Sequence, residues 1–155
     1  MPDIFISYAA GIVASEAEKN STIDASVGGV VTAANATVTA ADQGKVKSLG
    51  QSAAGGLSGA GAGAHVTAID GASVTARSLD NTTFNLGSGA LNIIASATPQ
   101  TEAKADGVAV SGGLSIGASI SDAQVSTTIN SWLGRNTTVN AGGLTLTARQ
   151  LRSGI

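Results

Sequence analysis

Short runs in which small apolar and small polar residues alternate recur along the chain, most plainly in Ala36-Thr37-Val38-Thr39-Ala40 and Gly71-Ala72-Ser73-Val74-Thr75-Ala76. A period of two over four to seven residues, punctuated by Gly or Asn, predicts β-strands with one face turned inward. Thr and Val are stiff at χ1 and suit a pleated surface, while Gly and Asn tolerate the left-handed backbone of tight corners. The Ala-rich stretches do not favour a helix. Ser52–Gly61 (SAAGGLSGAG) interleaves its alanines with glycines, each costing about 1 kcal/mol in a helix. A strand with close backbone approach is predicted there instead.

The predicted strands fall into a repeat. Gln43–Leu57 (QGKVKSLGQSAAGGL) and Gln100–Leu114 (QTEAKADGVAVSGGL) match at a single offset, with Gln43 on Gln100, Lys47 on Lys104 and Gly55 on Gly112. An element Asn-Ser/Thr-Thr-apolar-Asp/Asn occurs three times, at Asn20–Asp24, Asn81–Asn85 and Asn136–Asn140. Each copy is followed by a Gly turn and an alternating segment: Gly29–Ala33, Gly89–Ile93 and Gly143–Thr147. The chain therefore divides into units of approximately 1–42, 43–99 and 100–155 within one segment.

The fold class predicted is all-β, a parallel β-helix (β-solenoid). A solenoid coil takes roughly twenty to thirty residues, so a repeat of about 55 predicts about two coils, roughly five or six in all. Stacked coils bury columns of like residues and depend on their neighbours and on capped ends. Met1–Phe5 enters on strand-like sequence and Leu151–Ile155 stops just after a strand. The chain is thus expected to be a fragment of a longer protein whose open strand edges invite end-to-end association. Leu144→Asp or Ile93→Asp is expected to destroy the fold by burying an unpaired charge.

Composition narrows the core and the partners. With 21 Gly, 3% aromatics and 43% hydrophobic residues that are mostly Ala and Val, the core must be thin, since small side chains fill only a narrow space at native density. Disorder requires low hydrophobicity or high net charge, and the chain has neither. A net charge of −2 with scattered Lys and Arg gives no footprint for nucleic acid or an anionic membrane. Without Cys there is no disulfide framework or thiolate metal site. Met1–Ile6 is a poor signal peptide, and no apolar run of eighteen residues supports membrane insertion.

Ala105–Gln150 (ADGVAVSGGLSIGASISDAQVSTTINSWLGRNTTVNAGGLTLTARQ) resembles the repeats of giant bacterial filamentous adhesins, of the filamentous hemagglutinin and filamentous leukotoxin type. The match is best at Gly112–Ala118 and Gly142–Ala148, where Gly-Gly-apolar-polar-apolar motifs recur, and it covers most of Gln43–Gln150. The resemblance implies a right-handed solenoid in a secreted or cell-surface rod. It further implies that the repeats extend or form an adhesive surface for a host protein or glycan.

Sites of chemistry are sparse. Glu16 and Glu18 share a strand face beside Lys19, but like charges two apart are typical of a solvated face, and His65 is the only histidine. The chain is read as no enzyme, with no cofactor and no metal. Asp70-Gly71 and Asp106-Gly107 are turn signals rather than calcium repeats. Gly55–Gly63 lacks the Gly-Lys-Ser/Thr of a phosphate loop. Asn20, Asn35, Asn81 and Asn136 are candidate glycosylation sequons, though asparagine stacking or a corner turn accounts for them more simply. Thr37/Thr39 and Thr145/Thr147 each direct two hydroxyls to one strand face. They carry the alternative function, an ice- or carbohydrate-binding module. Trp132, the single tryptophan, is a candidate contact residue or, preferably, a corner plug.

Overall fold

The computed structural model describes residues 7–152, so the strand-like start at Met1–Phe5 and the last three residues lie outside the described part. Fourteen strands follow in chain order: β1 (Tyr8–Lys19), β2 (Thr22–Val27), β3 (Val30–Thr32), β4 (Ala36–Asp42), β5 (Lys45–Gly56), β6 (Gly59–Asp70), β7 (Ser73–Ser78), β8 (Thr83–Asn85), β9 (Ala90–Ala97), β10 (Gln100–Ser111), β11 (Leu114–Val125), β12 (Thr128–Trp132), β13 (Thr138–Asn140) and β14 (Gly143–Gln150). The residues form two compact units, the first from the chain up to Glu18, Val46–Ile69 and Thr101–Gln124, and the second from Lys19–Lys45, Asp70–Gln100 and Val125 onward.

The second unit contains three three-stranded sheets, ordered β12-β7-β2, β13-β8-β3 and β14-β9-β4. All pairings are parallel and in register, for instance Ile129 on Val74 on Ile23, Val139 on Phe84 on Val31, and Leu146 on Ile93 on Val38. These columns are the core. Val74, Phe84, Leu91 and Ile93 of the middle layer are fully buried, and Ile23, Val31, Val38, Ile129 and Val139 pack against them from either side. Burial alternates strictly along β7 and β9, as the period-two pattern requires.

Each sheet takes one strand from each repeat, and paired residues lie one repeat apart in the chain, as in Thr22 with Ser73 and Thr128 with Ser73. A repeat therefore contributes one layer to the stack, not two. The sequence predicts two coils per repeat; the rest of each repeat, such as Val46–Ile69 and Thr101–Gln124, belongs to the other unit rather than to a second layer of this one. The Asn element is also rephased. Its second and third copies stack, but Thr22-Ile23-Asp24 of the first pairs with Ser73-Val74-Thr75, and the layer beneath Thr83-Phe84-Asn85 is Val30-Val31-Thr32.

The first unit contains a three-stranded sheet ordered β1-β6-β11 and a two-stranded sheet of β10 and β5. Its buried residues are small: Ala60, Ala62, Ala64, Val66 and Ala68 on β6, with Val46, Ser48 and Ser52 on β5. This is the thin core that the composition predicts, and the Ser52–Gly61 stretch is extended on both sides of a two-residue turn. A Cβ on Gly50 would lie 2.5 Å from Val66 Cγ2, and one on Gly11 would lie 2.7 Å from the Ala53 carbonyl oxygen. Gly50→Ala is accordingly expected to cost about 1–3 kcal/mol, because a β-branched neighbour at native density has no spare rotamer to take up. Urea denaturation checks it, and an unchanged midpoint would mean that the sheets can part freely. Lys47, which the repeat alignment sets on Lys104, forms an ion pair with Glu102 at 3.1 Å. Asp106-Gly107 is not a turn but the middle of β10, where Asp106 meets Lys104 at 3.3 Å.

Candidate interaction surfaces

Because the side chains of β4, β9 and β14 alternate, their outward residues share one face. Thr37 and Thr145 stand in one column with Asn92 between them, and Thr39 and Thr147 stand in the next with Ile94 between them. The two Thr-x-Thr pairs thus share a face and a register. The middle layer interrupts the hydroxyl rank with an amide and a methyl-rich side chain.

The outward face of β2, β7 and β12 carries a second arrangement. Trp132 stacks directly on Arg77, whose guanidinium carbon lies 5.7 Å from the ring centroid. Asp24 holds that guanidinium, with Nε donating to Oδ1 at 3.3 Å and Nη2 lying 2.9 Å from Oδ2. Trp132 keeps 39% of its surface exposed, so it is not a corner plug. Its neighbour Leu133 packs against the core instead. The result is an indole fixed by a cation–π contact beside an ion pair.

The sequon asparagines serve corners. Asn81 and Asn136 both adopt left-handed backbone, with φ of 58° and 55°, and Asn136 Nδ2 donates to Asn81 Oδ1 at 3.3 Å. Asn140 Nδ2 donates to Asn85 Oδ1 at 3.0 Å one corner later. Asn35 Oδ1 accepts from the Ala90 backbone N–H at 2.9 Å. Asn20 is exposed and places its Oδ1 against Gly71, where an added Cβ would require the Asn20 side chain to move.

The most concentrated charge has no counterpart in the sequence pattern. Asp70 and Asp42 are buried, and Lys19 Nζ donates to both Asp42 oxygens at 2.8 Å while lying 3.5 Å from Asp70 Oδ1. Asp70 Oδ1 also accepts from the Ala72 N–H, but its Oδ2 is buried without a hydrogen-bond partner. Burial by itself depresses the Lys19 ammonium, yet the hydrogen bond to Asp42 and the charges of Asp70 and Asp42 outweigh it and hold the group above its ordinary range. With the lysine supplying the cation internally, the cluster fastens three strand ends to one another. Its members come from distant stretches of the chain, which no local motif displays. Glu16 lies exposed on β1, on the same strand face as Glu18, and His65 lies exposed on β6. Among the described residues, no three His, Cys, Asp or Glu side chains gather into a set that could hold a metal ion.

In the first unit, Tyr8, Gly59, Gly61, Leu114 and Ile116 line a shallow apolar groove. Lys47, Gln51, Glu102, Lys104 and Asp106 line a charged one. No protein-family model matches the chain, and no curated protein or solved structure shows significant similarity to it.

Proposed function

We propose that the chain is a structural repeat segment of a secreted or cell-surface bacterial filamentous protein, coiled as a right-handed parallel β-helix that acts as a rod, spacer or adhesive surface. The observation that carries this reading is the stacking rule of the second unit: every sheet receives one strand per repeat in parallel register. A chain built this way lengthens by one layer with each added repeat while presenting the same faces. The resemblance of Ala105–Gln150 to filamentous adhesin repeats supplies the compartment and the handedness. Host proteins or glycans would meet the outward faces, of which the Trp132–Arg77 ledge and the threonine face are the most differentiated.

Immunogold labelling of intact producing cells tests the proposal. Antibody raised against this chain is expected to decorate material projecting from the surface. Labelling that appears only after the cells are permeabilised would overturn it.

A further inference from the structure

The outward face of the sheet β1-β6-β11 is apolar where a solvated strand face is ordinarily polar. β1 turns Tyr8 and Ile12 outward. Ser115 turns inward to meet Ser111, so β11 turns Leu114, Ile116 and Ile120 outward. Exposure of these five runs from 60% at Ile116 to 86% at Ile12. Between the two rows β6 offers Gly59, Gly61 and Gly63, whose missing side chains leave a furrow one strand wide. The furrow belongs to the middle strand and is walled on both sides by neighbouring strands, so it persists however many layers are stacked above or below. At its start the Tyr8 ring lies over Gly59, whereas a Cβ on Gly61 or Gly63 would meet nothing closer than a carbonyl oxygen at 3.9 or 3.6 Å.

The same face changes character further along. Gly59, Gly61 and Gly63 lie against the carbonyls of Leu114, Ile116 and Ala118 in turn. On the other side, Gly59 N–H donates to the Ser7 carbonyl and Gly71 N–H to that of Lys19. Carried along β6, this constant step sets Thr67, six residues past Gly61, between Glu16 and Asp122. Both carboxylates are on exposed positions. Lys19, the only Lys or Arg of the three strands, is turned to Asp42.

We infer that this face binds an extended segment of a partner protein, its aliphatic side chains seated in the glycine furrow and a Lys or Arg about six residues further on held between Glu16 and Asp122. The furrow walls stand two strand spacings apart, about 10 Å, and the glycine stretch runs about 16 Å. A helix, about 10–12 Å across with its side chains, does not enter, while an extended chain does. A floor of about 160 Å² is also far short of the roughly 800 Å² per partner that holds two folded proteins together, which argues against a second copy. The acidic end draws a basic segment and repels an acidic one. The inference rests on the reading of the rod's outward faces as adhesive and gives one of them a ligand chemistry.

Fluorescence anisotropy of a labelled synthetic peptide, Leu-Ser-Val-Thr-Val-Ser-Ser-Thr-Lys-Ser-Lys, titrated with the whole chain tests it. Alternation turns its Leu and Val side chains to the furrow, with the first Lys six residues after the first Val. Saturable binding is expected, weakened about ten-fold or more when both Lys are replaced by Glu. Gly61→Val fills the furrow where a Cβ has room, so it should abolish binding while keeping the parental circular dichroism and melt. Glu16→Lys with Asp122→Lys alters exposed positions alone and should invert the preference toward the Glu peptide, which decides the matter if Gly61→Val disturbs the melt. A folded parent that binds neither peptide overturns the inference and leaves the rod reading standing. Equal affinity for the two peptides, or binding that a folded Gly61→Val retains, overturns it too. So does a sedimentation mass that doubles in the parent and stays single in Gly61→Val, which would name a second copy as the occupant.

Discussion

Ile93→Asp is expected to unfold the protein, while the same replacement at Leu144 is expected to leave it folded. Both residues point inward on paired strands, and Leu146 and Val38 flank Ile93 in its column. At Ile93, however, no path to water exists, and the new carboxylate has no cation or donor beside it. Placing an unpaired charge there costs more than about 4–5 kcal/mol, a large share of the stability of a domain this size. Leu144 is half exposed in the outer layer, so a carboxylate at that position bends into solvent. The expectation that the two positions are equivalent is therefore revised. Circular dichroism with thermal melts separates them: an Ile93→Asp variant with a cooperative melt near the parental one would refute the layer assignment.

Lys19→Met should be the next most damaging change. The substitution keeps most of the side-chain volume but leaves Asp42 and the fully buried Asp70 facing each other without a cation. Breaking a buried pair on one side costs about 3–5 kcal/mol, which in a chain of this length lowers Tm by on the order of 10 °C. Adding Asp70→Asn to Lys19→Met should recover part of the loss, since it removes the charge that lacks a second hydrogen bond. The pH dependence has a definite sign. The folded Lys19 holds its proton above the ordinary value of 10.5, so its contribution is complete below that value and is lost as pH rises through the folded-state pKa. The parent should thus lose stability on the far alkaline side more steeply than Lys19→Met does. Parallel melts up to that range decide it, and a Lys19→Met protein within about 1 kcal/mol of the parent would show that the cluster is dispensable.

Local features were legible in the sequence because they follow from local physics. Alternation in Gly71–Ala76 and Ala36–Ala40 marks inward and outward residues, and glycine density in Ser52–Gly61 marks close strand approach. The repeat length was legible too, but not the number of layers it makes. That number depends on which strand finds which across a whole repeat, and pairing demands only matching alternation. Thr22-Ile23-Asp24 consequently resembles Thr83-Phe84-Asn85 as well as it resembles its true partner, Ser73-Val74-Thr75. The surfaces were half legible. The threonine pairs do share a face, but Asn92 and Ile94 come between them, and Trp132 could be placed on the outside only once Arg77 was seen beneath it. The Lys19–Asp42–Asp70 cluster left no trace in the sequence, because its members meet only when three strand ends are brought together.

The register also records how the layers tolerate change. From the first layer to the second, the separation between partners along the chain widens corner by corner, from Thr22 and Ser73 through Val30 and Thr83 to Ala36 and Leu91. From the second to the third it narrows again, between Ser73 with Thr128 and Leu91 with Leu144. Residues are gained and lost at the corners, while the paired strands keep their phase. A one-residue insertion inside a strand would turn every following side chain to the wrong face. Unequal recombination between repeats, by contrast, adds or removes one whole layer, about 4.8 Å of height, and leaves every remaining column intact. A gene for such a protein can therefore drift in length among lineages in steps of a full layer, with its corners as the hypervariable points.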